Sequence, residues 1–460
     1  MTRRYLDKVA IPLFTGLMYM AMGLSSGSVI ASYIRQAPEL KITVGEPTLL
    51  TTQTYQNRAS VAASRTGTVA AFYPTNPHSR RISTDAGLNW GPASTYTIPG
   101  PMSVGLREGG VVIMGWHTSP VGGGVTDRVE IYRFESSDDF LSWEEIETAT
   151  IHVPNYMPSL DIPHLQPHKG KIVQLPSGNL LMPMYGGFEG DSPQIHRAFL
   201  VESADQGRTW DYYSTISYEP ADPNPGLPGQ YLGACEPSIA LLSNGQMLAM
   251  LRTQYSHVGP DYRPMYTAWS DDMGLTWTTM IPTDPYLYNV YPTLQVLDNG
   301  VVAVEYGRPG LHVAFSIDNG HTWPDSVSFS DLPEPVNTGY GDMVKVGLNK
   351  LVLIGSDGEG TKIWPITVDI QGDFDGDGDI DGDDFLLWQR NFPVLDGTAG
   401  SSSGDANGDG DVDGDDFLVW QRNFPYPTAI SSVPEPNSLA MLALGGLMML
   451  RRRSRIQHGR

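Results

Sequence analysis

The sequence predicts an all-β fold, a six-bladed β-propeller, followed by a small α-helical module. Three observations support this prediction: six apolar segments interrupted by a tight turn, five copies of an eight-residue motif, and a pair of acidic twelve-residue loops near the C-terminus. The 460 residues are too many for one ordinary core, and the 50 glycines and 36 prolines favour short strands and turns over helices. A large β domain with small appendages is therefore expected.

The first observation is a hairpin pattern that recurs through the middle of the chain. In each copy, two apolar runs flank a turn, as in residues 60–70 around Gly67. Glycine reaches positive φ without strain, so a glycine between such runs is a strong hairpin signal. The six turns are marked by Gly67, Gly110, Gly178, Gly245, Gly300 and Asn349. Their spacing of roughly 45 to 70 residues is typical of propeller blades.

The second observation is an octet, Ser-x-Asp-x-Gly-x-x-Trp, that runs out of phase with the hairpins. Its four full copies span 83–90, 203–210, 270–277 and 316–323. A fifth copy, 136–143, has Phe140 where the others have glycine. The aspartate can accept backbone N–H bonds within a turn, the glycine supplies a left-handed position, and the tryptophan packs beneath. Because the octet repeats on most blades, its aspartates are predicted to hold the fold rather than to catalyse.

This octet is the Asp-box, and its alternation with hairpins resembles the sialidase (neuraminidase) superfamily of propellers. The resemblance covers residues 45–370 and implies a sialidase-like six-bladed propeller over that range. It is less specific for the reaction, because related propellers include other glycosidases, lyases and inactive binders.

The resemblance also implies a set of site residues. In sialidases, three arginines grip the substrate carboxylate with paired donors, a tyrosine is the nucleophile and a glutamate accepts its proton. The matching positions are Arg58, Arg252 and Arg308 for the carboxylate, Tyr340 for the nucleophile and Glu236 for the proton acceptor. All except Arg58, which lacks the family's usual neighbours, follow one another in the family's order. No cofactor is implied for catalysis.

The general acid is where the sequence departs from the family. Residues 71–83, where the family's acid/base normally lies, contain no aspartate or glutamate. Asp191 is the candidate substitute, and Glu189 and His164 are weaker ones. Three functions therefore stay open. The first is exo-acting hydrolysis of terminal acidic sugars, as in sialidases. The second is cleavage of another acidic polysaccharide by a hydrolase or lyase, and the third is carbohydrate binding without catalysis.

The third observation is a pair of acidic loops with the donor spacing of EF-hand-type calcium sites. In each loop, oxygen donors stand at positions 1, 3, 5, 9 and 12, with glycine at 6 and an apolar residue at 8. The second loop begins 32 residues after the first, and each precedes a predicted short helix. The predicted Ca²⁺ ligands are Asp373, Asp375, Asp377, Asp379, Asp381, Asp384, Asp405, Asn407, Asp409, Asp411, Asp413 and Asp416.

These two loop-plus-helix units, within residues 371–427, resemble a type I dockerin. Dockerins bind cohesin domains, so the resemblance implies a cohesin-domain protein as a partner. The propeller, which closes its own core, is expected not to depend on calcium.

The two ends of the chain carry targeting signals. Residues 1–31 have a basic start, an apolar run and small residues at a cleavage position, which predicts a secretory signal peptide and export by the Sec route. Residues 428–460 contain Pro-Glu-Pro, an apolar run and three arginines, and resemble the PEP-CTERM sorting signal. The protein is therefore expected to be secreted or displayed on the cell surface, with its tail engaging sorting machinery at the membrane.

The composition of the chain also excludes one class of partner. The formal net charge of −22 argues against nucleic acid, which requires a basic face. The single cysteine, Cys235, allows no internal disulfide. Because the candidate arginines suit a carboxylate, an acidic glycan is the expected substrate.

Overall fold

The computed structural model describes residues 38–53, 59–73, 75, 79–95, 101–107, 110–120, 128–136, 140, 144–157, 171–225, 229–256, 263–307, 310–330 and 340–426. The predicted signal peptide and the sorting segment lie outside these residues. None of the helices in this part of the chain has the length and apolar composition that a membrane span requires.

Within these residues the chain consists mainly of β-strands. The first thirteen are β1 (Leu40–Val44), β2 (Thr48–Thr51), β3 (Ser60–Ala63), β4 (Val69–Tyr73), β5 (Ser79–Ser83), β6 (Ser94–Thr95), β7 (Pro101–Arg107), β8 (Gly110–Pro120), β9 (Arg128–Ser136), β10 (Glu144–His152), β11 (Tyr156–Met157), β12 (Lys171–Gln174) and β13 (Leu180–Phe188). The others are β14 (Arg197–Ser203), β15 (Thr209–Ser217), β16 (Tyr231–Leu241), β17 (Met247–Tyr255), β18 (Tyr266–Ser270), β19 (Ile281–Pro282), β20 (Thr293–Val296), β21 (Val302–Gly307), β22 (Leu311–Ser316), β23 (Asp325–Ser330), β24 (Asp342–Gly347), β25 (Lys350–Ser356) and β26 (Thr361–Ile370).

The strands form a propeller of five sheets in the described residues. Three sheets are four-stranded antiparallel meanders, β3–β6, β16–β19 and β20–β23. A fourth sheet combines β24, β25 and β26 with the N-terminal strands β1 and β2. Because β1 pairs with β26, from Leu40↔Ile370 to Val44↔Ile366, the two ends of the β domain share one sheet and close the ring.

The fifth sheet corrects the predicted number of blades. It has nine strands, because the meanders β7–β10 and β12–β15 are joined by parallel pairs. One pair links Lys171 of β12 with Val104 of β7, and the other links Ile151 of β10 with Trp210 of β15. The prediction of six separate blades is therefore wrong: two of the predicted units continue a single hydrogen-bonded ladder.

The strands nearest the axis are the first strands of the predicted hairpins. In the order β3, β7, β12, β16, β20 and β24 each neighbours the next, and β24 returns to β3. The apolar core fills the space between the sheets, as where Leu248, Val304 and Trp323 belong to one buried cluster. Residues at the start of these inner strands therefore lie towards one end of the axis, and the hairpin turns towards the other.

The Asp-boxes have the structural role that the sequence predicted. In the third full copy, Gly274 N–H donates to Ser270 Oγ at 2.8 Å, Thr276 N–H donates to Asp272 at 2.8 Å, and Trp277 Nε1 donates to the Gly274 carbonyl at 3.0 Å. Gly274 has a φ of +87°, the left-handed value that glycine adopts without strain. Hydrogen bonds from Thr276 lower the pKa of Asp272 to about 2. The aspartate is thus committed to its own turn.

The degenerate fifth box keeps part of this geometry. Phe140 N–H donates to Ser136 Oγ at 2.9 Å, and Phe140 has a φ of +69° where the other boxes have glycine. The ring of Phe140 is fully buried. A left-handed backbone is unfavourable for a bulky residue, and burial of the Phe140 ring contributes free energy that offsets this strain.

After β26 the chain forms two short α-helices, α1 (Gly382–Asn391) and α2 (Gly414–Asn423), with a 3₁₀ turn at Ser401–Ser403 between them. Each helix is preceded by an N-cap aspartate, Asp381 or Asp413, which forms a capping box with the third residue of the helix. Trp388 Nε1 donates to the Asp413 carbonyl and Trp420 Nε1 donates to the Asp381 carbonyl, both at 2.9 Å. The two units therefore brace each other reciprocally. The likeness to a dockerin stays a prediction.

Candidate functional site

Three of the predicted site residues meet at one end of the propeller axis. Glu236 lies in the middle of β16, Arg252 in the second half of β17, and Tyr340 just before β24. Arg252 Nη1 donates to Glu236 Oε2 at 2.6 Å and to the Tyr340 hydroxyl at 3.3 Å. A single guanidinium nitrogen thus joins the predicted proton acceptor to the predicted nucleophile.

The backbone at Glu236 is bent to present this side chain. Glu236 has a φ of +44°, in the left-handed region that residues other than glycine rarely adopt. The pairing of β16 with β17 slips between Cys235 and Ser238, so Glu236 lies in a β-bulge. Bulges and left-handed residues of this kind redirect side chains and recur beside functional sites. This strain marks Glu236 as more than a packing residue.

The ion pair is largely withdrawn from solvent. The side chains of Arg252 and Glu236 are only 15% and 14% exposed. Burial opposes the charge on Arg252, but the neighbouring Glu236 and Tyr340 outweigh it, so the pKa of Arg252 lies well above its ordinary value. The guanidinium is therefore permanently charged. An arginine in this state can hold a carboxylate with paired donors.

Two buried tyrosines adjoin the cluster. Burial, with the charge of Glu236, raises the pKa of Tyr185 and of Tyr291 well above the ordinary value. The Tyr185 ring also packs edge-on against His196, with centroids 5.4 Å apart, and contacts the buried Cys235. Both phenols therefore stay neutral beside the carboxylate. Cys235 is fully buried and acts as a small apolar side chain in the core.

A buried ion pair anchors the segment that carries Tyr340. Asp342 accepts hydrogen bonds from Ser60 Oγ at 2.6 Å, Val61 N–H at 2.8 Å and Lys171 Nζ at 2.9 Å. These partners belong to β3 and β12, so the carboxylate ties three inner strands together at the axis. Sequence reasoning missed both charges. The sequence did contain a signal for them, because Lys171 and Asp342 are charged residues at the start of apolar strands. Asp342 also lies only two residues after Tyr340.

The candidate acid, Asp191, is engaged elsewhere. Arg197 Nε donates to Asp191 Oδ2 at 2.7 Å, and Arg197 Nη2 contacts the other carboxylate oxygen. The hydrogen bonds that Arg197 donates to Asp191 raise the pKa of Arg197. Both oxygens of Asp191 are thus committed to an ion pair, which favours a structural role over proton donation. Glu189 is exposed on the same loop.

Three further candidates, Arg58, Arg308 and His164, lie outside the described residues. The predicted carboxylate clamp is therefore represented here by Arg252 alone.

A cavity lies towards the opposite end of the axis, among the described residues. Its volume is about 740 Å³, and its walls come from the last residues of the inner strands, including Ala63, Gln174, Leu241 and Val346. Tyr340 precedes β24, and Glu236 lies three residues before Ile239, the first residue of β16 that lines the cavity. The cavity is thus separate from the cluster, although Lys171 lines the cavity and also binds Asp342.

The first acidic loop has a donor set suited to a hard divalent cation. Its carboxylates form two groups of three, Asp373, Asp375 and Asp377, and Asp379, Asp381 and Asp384, with ligand atoms within 4.8 Å of one another in each group. Burial raises the pKa of Asp373 to about 7 and that of Asp384 to about 6. Crowded, partly buried carboxylates are costly unless a cation balances them.

The second loop repeats the frame of the first. Gly376 N–H donates to Asp373 at 2.7 Å, and Gly408 N–H donates to Asp405 at 2.6 Å. The last carboxylates, Asp384 and Asp416, are both buried. The first loop therefore fits calcium by the chemistry and placement of its donors, and the second by its donor types and its matching frame.

Family models match two parts of the sequence. The model of the BNR repeat-like domain matches residues 101–432, which is most of the chain. The PEP-CTERM protein-sorting motif matches residues 432–454, as the sequence predicted. This second match supports an exported protein with a membrane-associated tail. The route of export stays a prediction.

Several solved structures are similar to this chain. A protein of unknown function from Dyadobacter fermentans is 16% identical with a TM-score of 0.51, over 72% of this chain and 99% of that one. A Hadza microbial sialidase is 15% identical with a TM-score of 0.49, over 68% and 65% of the two chains. Trypanosoma rangeli sialidase is 14% identical with a TM-score of 0.45, over 74% and 57%. The first likeness supports the propeller fold. No curated protein matches the sequence.

Proposed function

This chain belongs to the BNR repeat-like domain family, and on that premise we propose that its propeller is an exported glycoside hydrolase of sialidase type, acting on terminal acidic sugars. The observation that supports this function best is the contact of Arg252 Nη1 with both Glu236 and the Tyr340 hydroxyl. Such a reaction needs a group that binds the carboxylate, a proton acceptor and a nucleophile close together, and arginine, glutamate and tyrosine can supply these three roles.

In the proposed reaction, Arg252 binds the sugar carboxylate and Tyr340 attacks the anomeric carbon. The phenolic proton passes to Glu236 as the new carbon–oxygen bond forms. The glycosidic bond breaks with its electron pair moving to the leaving oxygen, which takes a proton from a general acid. Water then releases the sugar from Tyr340. A neutral tyrosine suits this role because an anionic nucleophile would be repelled by the substrate carboxylate.

The test of this proposal is the Tyr340→Phe variant. We expect it to abolish hydrolysis of a sialoside while leaving the Tm unchanged, because the ring stays and only the hydroxyl is lost. Tyr306→Phe is the matched control, since Tyr306 packs against the same buried cluster as Tyr340. Full activity of Tyr340→Phe, or equal loss in both variants, would contradict the nucleophile assignment.

A second candidate function is supported by the ion pair of Asp191 with Arg197. If Asp191 cannot serve as the acid, a hydrolase or lyase acting on another acidic polysaccharide fits the site better than a sialidase. Turnover of uronate-containing glycans without turnover of sialosides would favour this function. Binding of acidic glycans without any turnover would instead indicate a carbohydrate-binding propeller.

We further propose that residues 371–427 are a dockerin-like module that holds two Ca²⁺ ions. The donor set of the first loop and the repeated frame of the second support this proposal. The bound ions would neutralise the crowded aspartates and thereby stabilise both loops. Calorimetric titration of the full chain should give two calcium sites, and Asp384→Ala and Asp416→Ala should each remove one. A variant that keeps both sites would contradict the ligand assignment.

The partner proposed for this module is a cohesin-domain protein. Capture of a purified cohesin in calcium but not in chelator is the expected result. The N-terminal residues 1–31 are proposed to direct Sec export, which the N-terminal sequence of the mature secreted protein would test.

A further inference from the structure

The outer edge of β17 loses its strand partner directly before Arg252. The pairing of β17 with β18 ends at Leu251↔Tyr266, although β17 itself continues to residue 255. Thr253 lies beyond this last pair and is fully buried. Its backbone N–H and carbonyl therefore need hydrogen-bond partners from another part of the chain, because buried backbone groups are rarely left without them.

The side chain of Asn289 supplies both partners. Asn289 Nδ2 donates to the Thr253 carbonyl at 2.7 Å, and Thr253 N–H donates to Asn289 Oδ1 at 3.0 Å. Two residues of neighbouring antiparallel strands exchange the same pair of bonds through their backbones. Asn289 is itself fully buried, and its N–H donates at 3.0 Å to the carbonyl of Arg263, just before β18. The side chain thus completes the ladder where β18 is missing.

The guanidinium of Arg252 depends on its backbone for its direction. In the described residues, the hydrogen bonds of this side chain to Glu236 and Tyr340 both come from Nη1, and Nε is buried without a partner. Contacts at one nitrogen do not fix the plane of a guanidinium, which also depends on where the backbone places the side chain. A shift of the backbone at Thr253 would therefore turn the donors of Arg252.

The inner edge of β17 is irregular at the same point. β16 pairs with β17 at Cys235↔Arg252, and the register then shifts between Cys235 and Ser238, around Glu236. A β-bulge disrupts the ladder locally. The contact with Asn289 therefore provides a regular support on the outer side, where the inner side is distorted.

We propose that Asn289 is a positioning residue of this site, whose side chain fixes the backbone at Thr253 and thereby aims Arg252 at the carboxylate of the bound sugar. This inference rests on the proposed function and adds a residue that the family resemblance did not indicate. Asn289 does not touch the ligand. It acts through Arg252, because paired recognition of a carboxylate requires that both donors have the right direction.

The test compares two variants of the full chain, Asn289→Ala and Asn299→Ala. Asn299 is the matched control, because it is also buried and makes the same kind of pair. Its Nδ2 donates to the Val368 carbonyl at 2.9 Å, and its Oδ1 accepts from Val301 N–H at 3.3 Å. It lies in the β20–β21 turn, towards the other end of the axis.

The measurements are the Tm, the KM and kcat for a fluorogenic sialoside, and inhibition by sialic acid and by its uncharged methyl ester. Both variants should lower the Tm, because each loses a pair of buried hydrogen bonds. Only Asn289→Ala should raise the KM, by about tenfold or more, with a smaller change in kcat. It should also reduce the preference for the free acid over the ester, because Arg252 recognises the carboxylate.

An unchanged KM in Asn289→Ala, or an equal rise in both variants, would overturn this inference, while wild-type activity would leave the proposed function standing. If Asn289→Ala does not fold, Asn289→Ser, which keeps a hydrogen-bonding group at this position, is measured in the same way. A wild-type protein that neither hydrolyses the sialoside nor binds sialic acid would overturn both proposals.

Discussion

The two acidic loops share one sequence pattern but have different surroundings. In each loop the apolar residue at position 8, Ile380 or Val412, is fully buried. Val412 forms a β-bridge with Val394, within the helical module itself. Ile380 forms the equivalent bridge with Tyr426, but also belongs to a buried cluster with Leu297 and other propeller residues. The first loop is therefore part of the propeller core, and the second is not.

Two further contacts follow the same division, although a side chain at Gly408 of the second loop would meet the Lys41 side chain of β1. A side chain at Gly378 would meet the backbone of Asn299, in the turn between β20 and β21, whereas one at the equivalent Gly410 would meet Gly397 of the module. The Tyr426 hydroxyl donates to the carbonyl of Ile317, in the last Asp-box, at 3.0 Å. The sequence-based expectation that the propeller is independent of calcium thus conflicts with these contacts, which couple the first loop to it.

The largest effect should come from the two position-8 residues. Ile380→Ala should destabilise the propeller by about 2–5 kcal/mol, because it leaves a cavity in the shared core. Val412→Ala removes one carbon fewer and should lower the stability of the helical module alone. Unfolding monitored by near-ultraviolet circular dichroism and by calorimetry would check this. Equal effects of both variants on the propeller transition would remove the distinction between the loops.

A smaller effect is expected at the glycines of the first loop. Both Gly376 and Gly378 have positive φ, +78° and +93°, so alanine strains the backbone at either position by about 1 kcal/mol. Only at Gly378 does a Cβ lie 2.7 Å from the Asn299 backbone, while nothing lies within 4 Å at Gly376. Gly378→Ala should therefore cost about 2 kcal/mol more than Gly376→Ala in propeller stability. Equal costs, measured by denaturant unfolding, would argue against close packing there.

The smallest effect is expected for the hydroxyl of Tyr426. Tyr426→Phe loses the hydrogen bond to Ile317 and should lower propeller stability by about 1 kcal/mol. Thr398→Val is the control, because Thr398 bonds only its neighbour Asp396 within the module. A shift of the propeller transition in the control alone would contradict the proposed coupling.

The sequence was most informative where chemistry repeats or follows a fixed order. The Asp-box turns were predicted correctly because their hydrogen bonds are local, as between Ser270 and Gly274. Glu236, Arg252 and Tyr340 were predicted from the resemblance to sialidases, whose order along the chain they follow, and the structure brings them together.

Features that depend on distant contacts were missed. The parallel pairs that merge two meanders leave no local pattern, so the predicted blade number was wrong. Lys171 and Asp342 are single charges whose partners lie far apart in sequence. An apolar residue is expected at position 8 of a calcium loop, so the loop pattern alone explained Ile380. Nothing in the sequence indicated that Ile380 also packs against the propeller core.

Hydrogen exchange of the full chain with and without calcium tests the coupling of the first loop to the propeller most directly. We predict that calcium slows exchange in residues 371–426 and also in the β20–β21 turn and β26, which contact the first loop. The β16–β19 sheet, which lies outside this contact, should not change. Protection confined to residues 371–426 would contradict the account and restore an independent propeller.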